Sequence, residues 1–329
     1  MSLMILTRAE LEQCVSLNKE AIQQIAEAFA ALARGEAIMP PVLRLDIVDY
    51  HGEVDVKTAY VKGFDSFAIK ISPGFFDNPK LGLPSLSGMM VLLSAKTGQL
   101  EALLLDQGYL TDIRTAAAGA VAADCLARRN CRAVGVIGAG AQARLQLQAL
   151  KLVRDYHYLY VWARNRQQAQ AYAAAMECQL GVPVEVAADP ETVVRQSDVV
   201  VTTTPAKAPL IQAEWLHPGL HITAMGADAE SKNELDPQVL VHADRFVCDR
   251  RAQSLALGEL HHAVAAGVLA PDVTVTELGE ITAGIKPGRL SDAEITVCDL
   301  TGTGVQDTAI ALHAYHQAVA RGYGTTVDA

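Results

Sequence analysis

The sequence predicts an α/β protein in which a doubly wound parallel sheet is joined to a second, mixed α+β domain. Short apolar strands alternate with helices from residue 133 onward, which is typical of a parallel sheet with helices on both faces. Residues 42–105 contain strand-like segments without that alternation, and an alanine-rich helix closes the chain. The 329 residues also exceed the usual size of one domain.

Two helices are predicted before the first sheet. Thr7 and Glu10 have the spacing of a capping box, which predicts a short helix at this point. A longer helix follows, whose apolar face comprises Ile22, Ile25, Phe29 and Leu32. Glycine and proline then separate short strands between residues 42 and 105. This pattern predicts a mainly antiparallel sheet whose last two strands are joined at Thr97-Gly98.

An alanine-rich helix is predicted from Thr111 to about residue 127. Thr111 is a candidate N-cap, and Asp112 complements the helix dipole. Arg114 would then lie in the first turn, where a cation opposes the dipole. A bound carboxylate would resolve this conflict, because it accepts hydrogen bonds from both the guanidinium and the helix N–H groups. An exposed arginine without a ligand is the alternative.

The next stretch reads as a strand, a glycine turn and a helix. Residues 133–137 are apolar, Gly138-Ala139-Gly140 follows, and Ala143 completes the spacing G-x-G-x-x-A. Gly138 permits a tight turn, and Gly140 lets a pyrophosphate approach the backbone. The helix N-terminus supplies free N–H donors and a positive dipole end. The motif predicts a dinucleotide site, with a plain strand-to-helix turn as the alternative.

The remaining elements of this domain continue the alternation. Strands are predicted at residues 134–137, 158–162, 184–186, 199–203, 221–224 and 246–248. Helices are predicted after Gln142, Gln167, Pro190, Ala213 and Pro237. A last strand at residues 295–300 precedes a helix at residues 305–320, which is expected to cross back onto the first domain.

The choice of cofactor depends on the end of the second strand, where an acid would bind the ribose 2′-OH of NAD. The chain has Trp162-Ala163-Arg164-Asn165-Arg166 there and no acid. Two arginines suit a 2′-phosphate, so NADP(H) is favoured over NAD(H). Solvated arginines at a strand end are the alternative.

Composition excludes several classes of partner. A formal net charge of −10 argues against nucleic acid and anionic membranes. No stretch approaches the roughly 20 apolar residues of a membrane span, and no signal segment opens the chain, so a cytoplasmic protein is expected. The six cysteines form no C-x-x-C pair and are expected to be reduced. Glu259 and His262 are expected on a helix surface rather than at a metal, because neighbouring helical side chains diverge.

Three further polar residues are ambiguous by themselves. Lys70 alternates with Ile69 and Ile71, so it is expected to face solvent, and the same holds for Arg44. Asp228 follows a strand at the carboxyl end, where sheets of this type bind ligands. A turn-forming aspartate is the alternative there.

Taken together, these features resemble the ornithine cyclodeaminase/mu-crystallin family over essentially the whole chain. Five ordered blocks carry the resemblance: AIK at 68–70, LTDIRTAA at 110–117, GVIGAGAQ at 135–142, MGAD at 225–228 with KNELDP at 232–237, and DLTGTGVQD at 299–307. Residues 57–60 and 72–79 look most like the branch linked to ectoine utilisation. Residues 52–58 differ from those of ornithine cyclodeaminases, which leaves the substrate open.

The resemblance implies a Rossmann-type domain at residues 116–304 and a substrate-binding and dimerisation domain built from residues 1–115 and 305–329. It implies an NAD(P)-dependent enzyme that transfers hydride at the carbon next to a carboxylate, either in cyclodeamination of an amino acid or in reduction of an imine. A homodimer is expected. The alternative is a mu-crystallin-like protein that binds NADPH and a small ligand without turnover.

The resemblance also assigns site residues. Arg44, Lys70 and Arg114 match positions that hold the substrate carboxylate, and Asp228 matches the position that handles the amine and its protons. Asp228 and Lys70 are the candidate catalytic residues, and no metal ligands are expected. The candidate cofactor-binding residues are Thr115, Gly138, Ala139, Gly140, Ala141, Gln142, Arg164, Asn165, Arg166, Thr203, Met225 and Thr301.

Overall fold

A computed structural model describes residues 2–328. Its β-strands are β1 Ser2–Thr7, β2 Ala37–Ile38, β3 Leu43–Ile47, β4 Gly52–Val61, β5 Ser66–Phe75, β6 Met89–Ser94, β7 Leu100–Leu105, β8 Ala133–Ile137, β9 Tyr158–Trp162, β10 Val184–Val186, β11 Val199–Thr202, β12 Lys207–Ile211, β13 His221–Ala224, β14 Asn233–Leu235, β15 Arg245–Cys248, β16 Thr276–Glu277, β17 Thr296–Asp299 and β18 Thr325–Asp328. Its α-helices are α1 Arg8–Cys14, α2 Lys19–Ala33, α3 Tyr109–Leu126, α4 Ala141–Val153, α5 Arg166–Leu180, α6 Pro190–Gln196, α7 Pro237–His242, α8 Arg251–Ser254, α9 Glu259–Ala265, α10 Leu278–Thr282 and α11 Gly304–Arg321.

The chain divides into two compact units. Unit 1 consists of the residues up to Arg114 together with those from Thr303 onward, and unit 2 runs from Thr115 to Gly302. The first boundary falls within α3. Both chain ends therefore belong to unit 1. Within residues 2–328, no helix combines the length and the apolar composition that crossing a bilayer requires.

Unit 1 is built on an eight-stranded sheet in the order β18-β1-β7-β6-β5-β4-β2, with β3 also paired to β4. Strands β4 to β7 are antiparallel, as predicted, and the β6–β7 pair turns at Thr97-Gly98. The predicted capping box is also confirmed, since Thr7 and Glu10 exchange hydrogen bonds at the start of α1. Helix α11 packs on β4 and β5 and against α2. The final helix thus does cross back onto the N-terminal sheet.

Strands β1 and β18 were not predicted. They lie at one edge of the sheet of unit 1, where β1 runs parallel to β7 and antiparallel to β18. Each consists of the residues near one chain end, and neither is flanked by the turn residues that mark a hairpin. Their pairing is long-range, so it is decided by the tertiary fold.

Unit 2 contains an eight-stranded parallel sheet in the order β10-β9-β8-β11-β13-β17-β15-β16. The sheet is covered on both faces, because alternate residues of β11 enter two different cores. Val199 and Val201 pack with α4 and α5, whereas Val200 packs with α6, α7 and α9. This is the predicted doubly wound arrangement.

Two local predictions are wrong, one at the start of α3 and one in unit 2. Thr111 is not an N-cap, because α3 already begins at Tyr109, and the carboxylate of Asp106 accepts the N–H of Leu110 (2.9 Å). The helix expected after Ala213 is only a three-residue 3-10 turn. A small two-stranded sheet of β12 and β14 was not predicted. At α3 a preceding side chain, and at β12 and β14 a pairing between distant segments, decided the local structure.

Candidate functional site

The glycine turn of unit 2 has the geometry that a dinucleotide site requires. Gly138 has φ +123°, and a Cβ there would clash with the hydroxyl of Thr203, so only glycine fits. A Cβ on Gly140 would meet open space instead. Gly140 is also the N-cap of α4, and it has no side chain that could cap the first turn of the helix. Ala143 is buried against β8. These residues fit the pyrophosphate of a dinucleotide.

The residues after β9 are exposed at the strand end, as a ribose-binding position would be. Arg164 and Arg166 both reach solvent. Asn165 has a structural task, because its Oδ1 accepts the N–H groups of Gln167 (3.0 Å) and Gln168 (3.2 Å) at the start of α5. The two arginines are therefore the freer candidates for contact with the ribose or its phosphate.

Other candidate cofactor residues follow neighbouring parallel strands. Thr203 follows β11, Met225 follows β13 and Thr301 lies just beyond β17. The carboxyl ends of these strands meet at one edge of the sheet, which is where open α/β sheets bind ligands. The Thr301 hydroxyl is buried and bound to Asp249 (2.9 Å). Thr115 lies in α3, and its carbonyl accepts a hydrogen bond from Gln146 (2.9 Å).

In unit 1, three cations and one carboxylate are buried together; we call Lys57, Lys70, Arg114 and Asp307 the cationic cluster. Nζ of Lys70 lies 3.1 Å from Oδ2 of Asp307, and Nε of Arg114 lies 3.0 Å from Oδ1. Lys57 is directly opposite Lys70 on β4 and β5. The exposed fractions are only 8%, 2%, 6% and 0% in the order named. Lys70 and Arg114 share the one carboxylate of Asp307, so the cluster retains donors that suit a small anion.

Two predictions about this cluster are wrong. Lys70 does not face solvent: Lys57, Ala68 and Lys70 lie on the buried face of the sheet, while Ile69 is only half-buried on the other. Lys70 does alternate with Ile69 and Ile71 between the two faces of the sheet, but Lys70 is on the buried face. Arg114 does not lie in the first turn of α3, so the conflict with the helix dipole does not arise.

The electrostatics of the cluster are dominated by burial. Burial lowers the pKa of Lys70 to about 7, against the opposing effect of Asp307, and the charges of Arg114 and Lys57 lower it further. Burial by itself would raise the pKa of Asp307, but Lys70, Arg114 and Lys57 outweigh it and hold that pKa below its usual range. Asp307 is therefore ionised, and Lys70 can change protonation state near neutral pH.

Neither Lys57 nor Asp307 was assigned a role from the sequence. Asp307 lies in the first turn of α11, where an acid is ordinary because it complements the helix dipole. The available signal was that its neighbours in the helix, such as Val305 and Ile310, are apolar, so the acid shares a buried helix. Lys57 lies in residues 52–58 and 57–60, which bear on the branch of the family and carry no assigned site residue.

Arg44 does not join the cationic cluster. Its guanidinium pairs with Asp46 (3.0 Å), Glu53 and Asp55 (3.7 Å). Arg44 on β3 lies opposite Asp55 on β4. Asp55 precedes Lys57 by two residues and lies on the same face of the sheet, and two residues of a strand span roughly 7 Å. A role of Arg44 in substrate binding would therefore require it to exchange carboxylate partners.

Asp228 lies in the loop after β13 in unit 2. Its Oδ1 is 2.5 Å from Nζ of Lys232, and its side chain is 51% exposed. Half-exposed carboxylates with a flexible ion-pair partner can exchange protons with a bound ligand. The loop position matches the prediction, and the pairing with Lys232 was not anticipated.

The expectation that Glu259 lies on a helix surface is wrong. Glu259 is buried, with its carboxylate 2.7 Å from Nδ2 of Asn233, while Nε2 of His262 donates to the carbonyl of Lys232 (2.7 Å). Among residues 2–328, no set of histidine, cysteine and acidic side chains is arranged to hold a metal ion. Glu259 and His262 instead hold β14 and the loop before it.

Comparisons with known proteins agree over the full length. A relative from Rhizobium meliloti (strain 1021), whose name gives it provisionally as a dehydrogenase, is 55% identical over 98% of both chains. The structure of Thermococcus litoralis Δ1-pyrroline-2-carboxylate reductase with NADH and L-proline superposes with a TM-score of 0.93 at 31% identity, covering 98% of this chain and 100% of that one. An archaeal alanine dehydrogenase dimer with bound NAD gives 0.93 at 36% identity, covering 100% and 99%.

The fold of these structures is the one described above, a Rossmann-type parallel sheet with a second mixed unit. A sequence model of the ornithine cyclodeaminase/mu-crystallin family matches residues 1–322. Further relatives are named as an alanine dehydrogenase (Archaeoglobus fulgidus, 36% identical over 99% of this chain and 98% of the relative) and an iminosuccinate reductase (Paracoccus denitrificans, 35% identical over 98% and 100%). The chain belongs to the ornithine cyclodeaminase/mu-crystallin family.

Proposed function

We propose that the protein is an NAD(P)-dependent enzyme that transfers hydride at the carbon next to the carboxylate of a small amino or imino acid. The observation that carries the proposal is the cationic cluster of unit 1, in which the buried side chains of Lys70 and Arg114 share the one carboxylate of Asp307. Two buried cations that share one carboxylate retain donors for a further anion. A substrate carboxylate supplies that anion, and the glycine turn of unit 2 fits the cofactor.

Each residue then has a defined task. Arg114 and Lys70 bind and orient the carboxylate, and Asp307 holds both cations in place. Asp228 exchanges protons with the substrate nitrogen. When bound, the nicotinamide donates or accepts the hydride. In reduction of an imine the reaction ends there, whereas cyclodeamination requires a second amino group and returns the hydride.

We favour the reductase or dehydrogenase direction over cyclodeamination. The two solved relatives described above are named as a reductase and a dehydrogenase, and each structure contains a bound nicotinamide dinucleotide. In unit 1, Glu53 and Asp55, which lie on the same face of β4 as Lys57, are already paired with Arg44. They are thus less free to bind the distal ammonium group that a cyclodeaminase substrate carries.

A substrate panel tests this function. The panel contains ornithine, lysine, 2,4-diaminobutyrate, cyclic imines, and 2-oxo acids with ammonia, and each reaction is followed by nicotinamide absorbance and by ammonia release. Oxidation of NAD(P)H by an imine, or by an oxo acid with ammonia, supports the reductase. Ammonia release without net absorbance change would show a cyclodeaminase instead. Tight cofactor binding with neither an absorbance change nor ammonia release would overturn the proposed enzymatic function and favour a binding protein.

The exposed arginines after β9 are proposed to favour NADP(H). Replacing both (Arg164→Ala with Arg166→Ala) is expected to weaken NADPH binding by at least roughly 10- to 100-fold, because the loss of even one charge-assisted hydrogen bond to a 2′-phosphate costs about 1.5–3 kcal/mol. NADH binding should change little. Titration of each cofactor by fluorescence measures both affinities. Arg195→Ala, which removes an exposed arginine paired with Glu191, is the matched control. Equal losses for both cofactors would contradict the assignment.

The lowered pKa of Lys70 predicts a pH dependence of substrate capture. Only the ammonium form binds a carboxylate strongly, so kcat/KM should fall as pH rises through about 7 in the free enzyme. Lys70→Arg keeps the charge at all accessible pH values and should remove this inflection, even if the absolute rate is lower. Cofactor affinity measured over the same range is the control. An inflection that persists unchanged in Lys70→Arg would assign it to another group.

A homodimer is proposed through the sheet of unit 1. The face opposite α11 is apolar across several strands, with Leu43 60% exposed and Leu105 40% exposed, and with Ile69, Ile71 and Val91 half-buried. Soluble monomers rarely leave so continuous an apolar face open, and the archaeal relative is described as a dimer. Light scattering of the wild type should give twice the chain mass. Ile69→Lys should give monomers, and a monomeric wild type would refute the proposal.

A further inference from the structure

One buried carboxylate ties together two loops at the carboxyl edge of the parallel sheet. Glu234 lies on β14 and is 0% exposed. Its Oε1 accepts the N–H (2.6 Å) and the hydroxyl (2.7 Å) of Thr204, which follows β11. Its Oε2 accepts the hydroxyl of Thr202 (2.6 Å) and the N–H of Gly226, which follows β13 (2.8 Å). All four acceptor positions of the carboxylate are therefore used, by the end of β11 and by the two loops that follow β11 and β13.

The two loops touch each other at this point. A Cβ on Gly226 would clash with the carbonyl of Thr204 and lie 2.5 Å from the carboxylate of Glu234. The N–H of Met225 also donates to the carbonyl of Thr202 (3.1 Å). The backbone around Thr203 and Met225 is therefore fixed from both sides, and only glycine fits at the contact.

A second carboxylate holds Glu234 itself. Glu259 on α9 accepts the N–H of Glu234 (2.8 Å) and of Leu235 (3.2 Å) through its two oxygens. Asp299 at the end of β17 accepts the N–H of Glu259 (3.0 Å) and the hydroxyl of Ser254. Three buried acids thus connect β17, α9 and β14 to the two loops.

Burying these carboxylates costs free energy of folding, so stability by itself does not account for them. Burial raises the pKa of Glu234, and the donors on Thr202, Thr204 and Gly226 only oppose that effect. The neighbouring Glu259 carboxylate is also unfavourably placed, since burial and the charges of Asp299 and Glu234 raise its pKa. A well-packed apolar residue would avoid the desolvation of the charge, although it would leave the two N–H groups unpaired. What the carboxylate provides in return is a fixed geometry of the two loops.

We infer that Glu234 is a positioning residue for catalysis: it fixes the two loops that carry Thr203, Met225 and Asp228. This inference rests on the proposed function, in which the nicotinamide half of the cofactor and the proton-transfer group Asp228 depend on those loops. The adenosine half depends on the glycine turn and on the end of β9 instead. Loss of Glu234 should therefore affect the nicotinamide half selectively.

Binding measurements test this selectivity without requiring a known substrate. In Glu234→Gln, the amide nitrogen faces donors and cannot accept, so at least one hydrogen bond is lost and NADH affinity should fall roughly 10-fold. ADP-ribose lacks the nicotinamide ring, and its affinity should stay within about 3-fold. With pyruvate plus ammonia or Δ1-pyrroline-2-carboxylate, kcat should fall by about 100-fold, the scale of a small misplacement of reacting groups. A primary isotope effect with 4-deuterated NADH should increase.

A matched control and a milder variant keep the test decisive. Asp198→Asn removes a carboxylate that accepts the N–H groups of Arg132 (2.6 Å) and Ala133 (3.1 Å) at the opposite, amino edge of the same sheet. It should not change the ratio of NADH to ADP-ribose affinity. If Glu234→Gln does not fold, Thr202→Val removes one hydroxyl donor at nearly constant volume, and the same ratio should change by a few-fold.

The outcomes separate the two proposals. A ratio of NADH to ADP-ribose affinity that stays at the wild-type value in a folded Glu234→Gln or Thr202→Val protein would overturn the positioning role, whether both affinities are unchanged or both fall in parallel. A wild type that binds NADH but turns over no member of the panel would overturn the proposed function. The affinity ratio would still measure what Glu234 does to the two loops.

Discussion

Asp228→Asn is expected to lower kcat by roughly 100-fold or more, the usual scale for a lost general acid–base group. In the proposed reaction, hydride transfer interconverts an amine and a cationic iminium, so the charge and the proton count of the substrate nitrogen change. A carboxylate can accept the proton of the amine and stabilise the cation. Asparagine keeps the shape but has neither charge nor basicity. Initial rates with the active substrate of the panel measure the loss.

The control for Asp228 is a carboxylate in the same segment with a known structural task. Asp236 caps α7 by accepting the N–H of Gln238 (2.8 Å), so Asp236→Asn should affect the unfolding temperature more than turnover. NAD(P)H affinity of Asp228→Asn should stay within a few-fold, since the pyrophosphate is bound by the glycine turn. Near-normal turnover of a folded Asp228→Asn protein would remove Asp228 from the mechanism and leave it a structural role, which includes its ion pair with Lys232.

Arg114→Met is expected to lower kcat/KM by about 100-fold or more, because removing one partner of a buried charge pair costs roughly 2–5 kcal/mol. The variant loses the guanidinium that the carboxylate would bind and leaves Asp307 with fewer cations. Arg114→Lys keeps the charge but loses the planar fork, so it should restore activity only partly. Rates over a range of substrate concentration separate KM from kcat. Cofactor affinity should be unchanged in both variants.

Arg154 offers the comparison for Arg114. It is also a buried arginine, 9% exposed, and it binds Asp124 (2.6 Å) and backbone carbonyls within unit 2. Arg154→Lys should lower stability while KM for the substrate stays near the wild-type value. If Arg114→Lys were as active as the wild type, Arg114 would be assigned to holding Asp307 rather than substrate.

The sequence was sufficient wherever the determining interactions are local. The spacing of Gly138, Gly140 and Ala143 specified the strand, turn and helix, because the need for a positive φ and for close approach is a property of single positions. The period of apolar residues specified the parallel strands of unit 2 for the same reason. The capping box at Thr7 and Glu10 spans three residues and was correctly read.

Only the tertiary structure decided which polar residues are buried together. Lys57, Lys70, Arg114 and Asp307 lie on β4, β5, α3 and α11, and the registers and packing that join these elements span more than two hundred residues. From the sequence, Lys70 was indistinguishable from a solvated lysine, since alternation gives two faces but not which one is covered. Glu234 and Glu259 could not be recognised either, because a buried carboxylate is identified by its donors. Those donors lie on other segments of the chain: at the ends of β11 and β13 for Glu234, and on β14 for Glu259.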